Sequence, residues 1–208
     1  MPSPWSIDAR VLVRPNRELQ SLASAVPQTR SSLWIALRRP LFLTFVLACA
    51  VSLIATSVAT FRLIGATAVW WTFVAIAEII ALAAVTWQRR GSRSFAALTD
   101  IFFTGHAAWT LLILLVAAML AFAPPQYWRL IIVGPTVVGI LVVVAWSAYV
   151  DVCFFRHVCG ATLGRAIAQV AVQRFIAWTL ILWIFCAPTA TPFGVYGVLG
   201  QALAEVLR

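Results

Sequence analysis

Residues 66–87 form a run of 22 residues that contains one charge, Glu78. About 20 consecutive apolar residues are enough to carry a helix across the hydrocarbon core of a bilayer. Backbone N–H and C=O groups in that medium find no water, so a spanning run of this kind is a helix. Similar runs occupy residues 40–61, 95–123 and 127–150, and a shorter one covers residues 175–187. The recurrence of the run constrains the fold more than any single residue does. It predicts an all-α polytopic membrane protein of about five transmembrane helices.

Composition agrees. Of 208 residues, 63% are hydrophobic and only 10% are charged, whereas soluble domains carry roughly 25% charged residues. Mean hydropathy is +0.98. Three segments follow: a basic interfacial N-terminal segment (1–38), a five-helix membrane domain (39–190) and an amphipathic tail (191–208). Pro40 is suited to the first turn of helix one. Leu33, Trp34 and Leu37 ahead of it read as a short interfacial helix. Asn16 is a cap for another short helix reaching Ala25. The fifth run has only 13 apolar residues before Pro188, about 20 Å of helix. It therefore starts earlier, near Ile167, or continues past a kink. A four-crossing chain with a re-entrant 175–187 piece is the alternative. No signal peptide is evident, because six arginines precede the first apolar run.

All 15 basic residues are Arg. A net charge of +9 raises the question of nucleic acid, but the arginines flank apolar runs, which excludes that partner. With five crossings and the N-terminus inside, twelve arginines fall inside and three (Arg62, Arg129, Arg208) outside. The positive-inside rule thus favours a cytoplasmic N-terminus, an external C-terminus and the cytoplasmic (inner) membrane.

Five crossings with short external loops, the text Arg90-Gly91-Ser92-Arg93-Ser94-Phe95 before helix three, and Phe155-Arg156-His157-Val158-Cys159-Gly160 with Gly164-Arg165-Ala166 after helix four resemble the bacterial branch of the Yip1 family. The Asp-Leu-Tyr-Gly-Pro motif of the eukaryotic branch is absent. The resemblance implies a membrane-organising or partner-binding role with no agreed chemical activity.

Among individual residues, Glu78 and His106 are the intramembrane polar candidates. Each lies nine residues from a predicted cytoplasmic helix end, about 13 Å deep. A facing pair would relay a proton or hold a cation. The ordinary alternative is a neutral Glu78 that hydrogen-bonds a neighbouring helix. Arg38, Arg39, Arg89, Arg90, Arg93, Asp100, Asp151 and Arg156 form a cytoplasmic-interface set, read as ion pairs of small individual worth, with Arg38, Arg39, Arg89, Arg90 and Arg93 also expected to attract anionic lipid headgroups. Ala48, Ser52, Thr56 and Thr60 repeat at i+4 and predict a small-residue packing stripe. Trp34, Trp70, Trp71, Trp87 and Trp128 read as an aromatic belt. Cys153, His157 and Cys159 lack the four-ligand spacing of a zinc site, so no metal or other cofactor is expected. Gly160 and Gly164 mark a turn or a helix contact.

Signatures for hydrolase, metalloprotease and nucleotide chemistry are missing. The sequence therefore predicts a non-enzymatic membrane-organising or partner-binding module, associated with anionic lipids and with a membrane-protein partner or a second copy. The alternative is a small proton- or cation-linked transporter, or a subunit of one, that uses Glu78 and His106.

Overall fold

The computed structural model describes residues 4–25, 33–56, 60–87 and 94–186. Among them the regular structure is helical: α1 (Pro4–Val13), α2 (Pro15–Ala25), α3 (Leu33–Thr56), α4 (Phe61–Thr86), α5 (Phe95–Thr104), α6 (Ala107–Phe122), α7 (Trp128–Ile131), a π-helical stretch (Ile132–Thr136), α8 (Val137–His157) and α9 (Leu163–Cys186). Four spans are long and apolar enough to cross a membrane, and the bent pair α5–α6 brings the number to five where the two helices count as one span. Only 17–39% of the residues in the four unbroken spans are buried. Phe45, Phe73, Ile80, Leu141 and Trp183 instead point outward, a surface matched to lipid rather than to water.

Helix boundaries depart from the sequence expectation in instructive ways. α3 starts at Leu33, not at Pro40, so it crosses the expected segment boundary at residue 38. The anticipated interfacial turn at Leu33–Leu37 is its first stretch, and Pro40 lies inside the helix. Proline at that depth removes one N–H, and its ring crowds the preceding turn, yet the helix runs on. α3 is described as far as Thr56, and Thr60 precedes α4 in extended conformation. The fifth span resolves to its longer form. α9 is an uninterrupted 24-residue helix, about 36 Å long, so it begins earlier than Phe175 and needs no re-entrant piece. The tail expected to be amphipathic lies outside the described residues. So does most of the Arg-rich connection between α4 and α5.

The third span is not straight. α5 and α6 meet at 41°. There the Gly105 and His106 N–H groups donate to Phe102 and Phe103 carbonyls at 3.1 and 3.2 Å. These i→i−3 bonds tighten the turn and redirect the chain. The reason for glycine at the break is proximity. A Cβ on Gly105 would stand 3.0 Å from Val150 Cγ1 and 3.8 Å from Asp151 Oδ1, so α8 lies tight against the third span at its bend. At the α8–α9 connection Gly160 takes φ +68°, a left-handed conformation that glycine adopts without strain. Of the two glycines at GxxxG spacing, one therefore makes the turn, and Gly164 sits in the first turn of α9.

The N-terminal segment is more ordered than its prolines imply. α1 and α2 form a hairpin that packs on α5, α6 and α8. Val11 and Leu19 are 0% and 1% exposed and join a core containing Phe102, Phe154, Phe155 and Leu82. Phe102 and Phe154 meet edge to face, with centroids 5.5 Å apart. Asn16, expected as a cap, instead hydrogen-bonds His157 Nε2 at the end of α8. The hairpin thus covers the end of the bundle where α3, α5 and α9 begin and α4 and α8 finish. This end is called the base below.

Candidate functional site: an intramembrane cavity above a belt of ion pairs

Nearly every buried charge lies in the basal half. One cluster joins α1, α3 and α5. Arg38 grips Asp100 with two parallel bonds, Nε to Oδ1 at 2.9 Å and Nη2 to Oδ2 at 2.7 Å. Arg39, only 7% exposed, bonds Asp8 Oδ1 through Nε at 3.0 Å and the Asp100 carbonyl through Nη1 at 3.1 Å. Two guanidinium groups meet two carboxylates, and the bidentate geometry is the strong form of such a bond. Burial holds the Asp8 carboxyl above its ordinary value, with the neighbouring Arg39 opposing that shift.

The second cluster joins α4, α8 and α9. Asp151, 2% exposed, receives Arg174 Nε at 3.1 Å and Arg174 Nη2 on the same oxygen. Glu78, 6% exposed, accepts from the amide of Gln173. The positions of Gln173 and Arg174 are dictated by helix geometry. Consecutive residues on α9 diverge by about 100°, so one addresses α4 while the other reaches α8. Both expected acids are therefore paired, Asp100 with two arginines of the expected set and Asp151 with one outside it. Asp100 uses Arg38 and Arg39, and Asp151 uses Arg174. Arg156 is exposed, and Arg89, Arg90 and Arg93 lie outside the described residues.

A cavity of about 200 Å³ opens against this belt. Thr44, Trp71, Glu78, His106, Trp109, Arg174 and Trp178 are among its walls, drawn from α3, α4, α6 and α9 and from the bend in the third span. Glu78, Thr44, His106 and Arg174 lie eight to eleven residues from the basal ends of their spans, about 12–17 Å deep at 1.5 Å per residue. Glu78 and His106 thus share one layer, as their sequence depth implies. They are not hydrogen-bonded to each other; Glu78 accepts from the amide of Gln173. His106 stacks on Phe103 with centroids 4.7 Å apart and meets Phe102 edge-on at 5.3 Å. Its Nδ1 has no hydrogen-bond partner among the described residues. A second cavity of about 270 Å³ lies between α1 and the bundle. It shares Leu43, Phe103 and His106 with the first, so these three side chains form a partition between the two.

The small-residue stripe divides. Ala48 and Ser52 are buried at 0% exposure where α3 runs along α4. Thr60 is exposed beyond the end of α3, and its N–H donates to Ser52 Oγ at 3.2 Å. The described residues end α3 at Thr56, whose side chain is not among those described. The belt tryptophans divide too. Trp34 and Trp87 are 68% and 71% exposed, whereas Trp70 is buried and Trp71 faces the cavity. Cys153 is buried. No three His, Cys, Asp or Glu side chains stand together as a metal site among the described residues.

Sequence reasoning did not single out Gln173, Arg174, Trp109 or Trp178. A signal for Arg174 existed. The α9 span keeps a full apolar length only if it includes that charge, and an arginine inside a span needs an internal partner. Comparison with protein families, curated proteins and solved structures finds no match to this chain.

Proposed function

We propose that this chain is a non-enzymatic integral membrane protein that receives a small solute in the cavity between its first, second, third and fifth spans, as a proton- or cation-linked carrier or as a subunit of one. The observation that carries the reading is the placement of Glu78, His106 and Arg174 in the walls of one mid-depth cavity. Ionisable groups within spans face functional pathways by default, because lipid gives no return for burying them. The break at Gly105–His106 adds weight, since carriers commonly build their sites at interrupted helices. Within this reading the N-terminus and the base are cytoplasmic, the C-terminus is external and the host is the inner membrane, in keeping with the arginine distribution.

A second reading, the membrane-organising or partner-binding module implied by the Yip1-family resemblance, is favoured by a different observation. Arg14, Arg17, Arg156 and Arg165 are exposed on the basal helices, a pattern suited to anionic headgroups.

Access to the cavity separates the readings. The four cysteines are replaced, Thr44→Cys is introduced as the reporter, and proteoliposomes receive a small membrane-impermeant thiol reagent from one side or the other. Phe45→Cys, facing lipid, and Arg165→Cys, exposed at the base, serve as controls. A carrier exposes Thr44→Cys to both sides in turn, so labelling from each side is expected. Protection from both sides, with Arg165→Cys labelled normally, would sink the carrier reading and leave the module.

A further inference from the structure

Charge balance and wall chemistry go further than solute binding. In the basal cluster two arginines meet Asp8 and Asp100. In the second cluster one arginine serves two acids. Asp151 takes both bonded nitrogens of Arg174, and Glu78 has only the neutral amide of Gln173. When ionised, Glu78 shares Arg174 with Asp151 and has no cation of its own. A buried carboxylate in that state is costly: a proton neutralises it in the empty cavity, and a bound cation would do the same in the occupied one.

The walls narrow its kind. A bare metal cation needs several oxygen ligands, about six for the hard divalent ions. The oxygens on this wall are the Glu78 carboxylate and the Thr44 hydroxyl, and that hydroxyl already donates to the Leu41 carbonyl at 2.9 Å. Apart from Arg174, which is held on Asp151, and the His106 ring, the rest of the surface is aromatic and aliphatic, with indoles supplied by three different helices: Trp71, Trp109 and Trp178. Indole faces attract cations through the ring quadrupole, most strongly when the cation is desolvated. The volume, about 200 Å³, exceeds the ~150 Å³ that accommodates benzene in an engineered cavity. A bare proton would leave that space empty.

Resting on the carrier reading, we propose that the cavity recognises a small organic ammonium ion. Its positive group sits against Glu78 among the three indoles.

The test uses the full chain in lipid nanodiscs and two probes of nearly identical shape, choline and its neutral isostere 3,3-dimethyl-1-butanol. Equilibrium dialysis with labelled choline measures binding directly. Saturable choline binding is expected, with the neutral isostere and sodium each at least about tenfold weaker as competitors. Glu78→Gln keeps an amide-sized group beside Gln173 and removes the charge. It is expected to lower choline affinity about tenfold or more and to erase the preference over the isostere. Trp109→Leu is expected to weaken choline by roughly three- to thirtyfold, the range of one desolvated cation–π contact. Competition by the isostere equal to that by choline overturns the inference while labelling of Thr44→Cys still stands for the carrier. Full displacement by equimolar sodium, or no saturable choline binding by monodisperse wild-type protein, overturns it as well. If Glu78→Gln does not yield folded protein, the wild-type comparison and Trp109→Leu still decide.

Discussion

The Asp151–Arg174 pair is the sharpest place to test the internal electrostatics. Arg174→Met keeps most of the apolar stem and removes the guanidinium. Asp151 is then left 2% exposed with no cation in contact, and Glu78 loses the nearest positive charge. Removing one partner of a buried pair costs about 3–5 kcal/mol, because the remaining charge stays desolvated. Two acids share this arginine, so the upper half of that range is expected. Asp151→Leu strands Arg174 in the same way, but Glu78 remains beside it as a substitute partner. Its loss should therefore be smaller, about 2–3 kcal/mol at the same rate per stranded charge. The double variant removes both charges and replaces them with apolar groups of similar size. Such replacements are often neutral or stabilising. Here the double variant still leaves Glu78 without a cation, so it should cost about 3–5 kcal/mol where the two single losses sum to about 6–8 kcal/mol, a coupling of about 3 kcal/mol, at the upper end of contact pairs. Reversible unfolding in mixed micelles with increasing denaturing detergent reads all four proteins. Additive losses, with the double variant the least stable of the four, would refute the geometry and the argument built on it.

The remaining predictions use independent features. Arg39→Met should cost about 3 kcal/mol and Arg38→Met no more than about 1 kcal/mol, since the Arg39 side chain is 7% exposed and the Arg38 side chain 34%; the same unfolding assay ranks them. Leu19→Ala, at a site 1% exposed, should cost about 2–5 kcal/mol of docking between α2 and α8, read as faster proteolysis within residues 4–25 while the spans stay resistant. Asp8 binds its proton more tightly in the docked state than in the free helix, so docking of α1 should weaken as pH rises above its ordinary value of 3.8; Asp8→Asn should flatten that dependence, and an unchanged pH profile of α1 proteolysis would contradict it. Gly160→Ala should destabilise by about 1–2 kcal/mol, the cost of a left-handed L-residue, whereas Gly65→Ala, with nothing within 4 Å of the added carbon, should be neutral or slightly stabilising.

Much of the architecture was legible because it depends on the solvent. Any run of about 20 apolar residues meets the same demand for internal backbone hydrogen bonds, so the spans at residues 66–87 and 127–150 could be found without knowing their neighbours. Depth was legible for the same reason: constant helical rise places Glu78 and His106 in one layer. Caps and kinks were less so. Pro40 reads as a first-turn residue, yet it lies inside α3. The close fit of α8 against Gly105 at the bend involves a second segment, so one segment does not encode it.

Partner choice belonged to the tertiary structure. Any of several arginines satisfies the composition argument for Asp100 and Asp151. Rotation and crossing of the helices decide that Arg38, Arg39 and Arg174 do so. The same rotations turn Trp71, Trp109 and Trp178 toward one space and leave Trp34 and Trp87 outside. The sequence alone determined that the chain is helical, that it is apolar enough to cross a membrane and that one carboxylate lies deep within it, because solvent transfer acts on each segment separately. Only the packed bundle decided which groups surround that carboxylate, because those contacts depend on distances between segments.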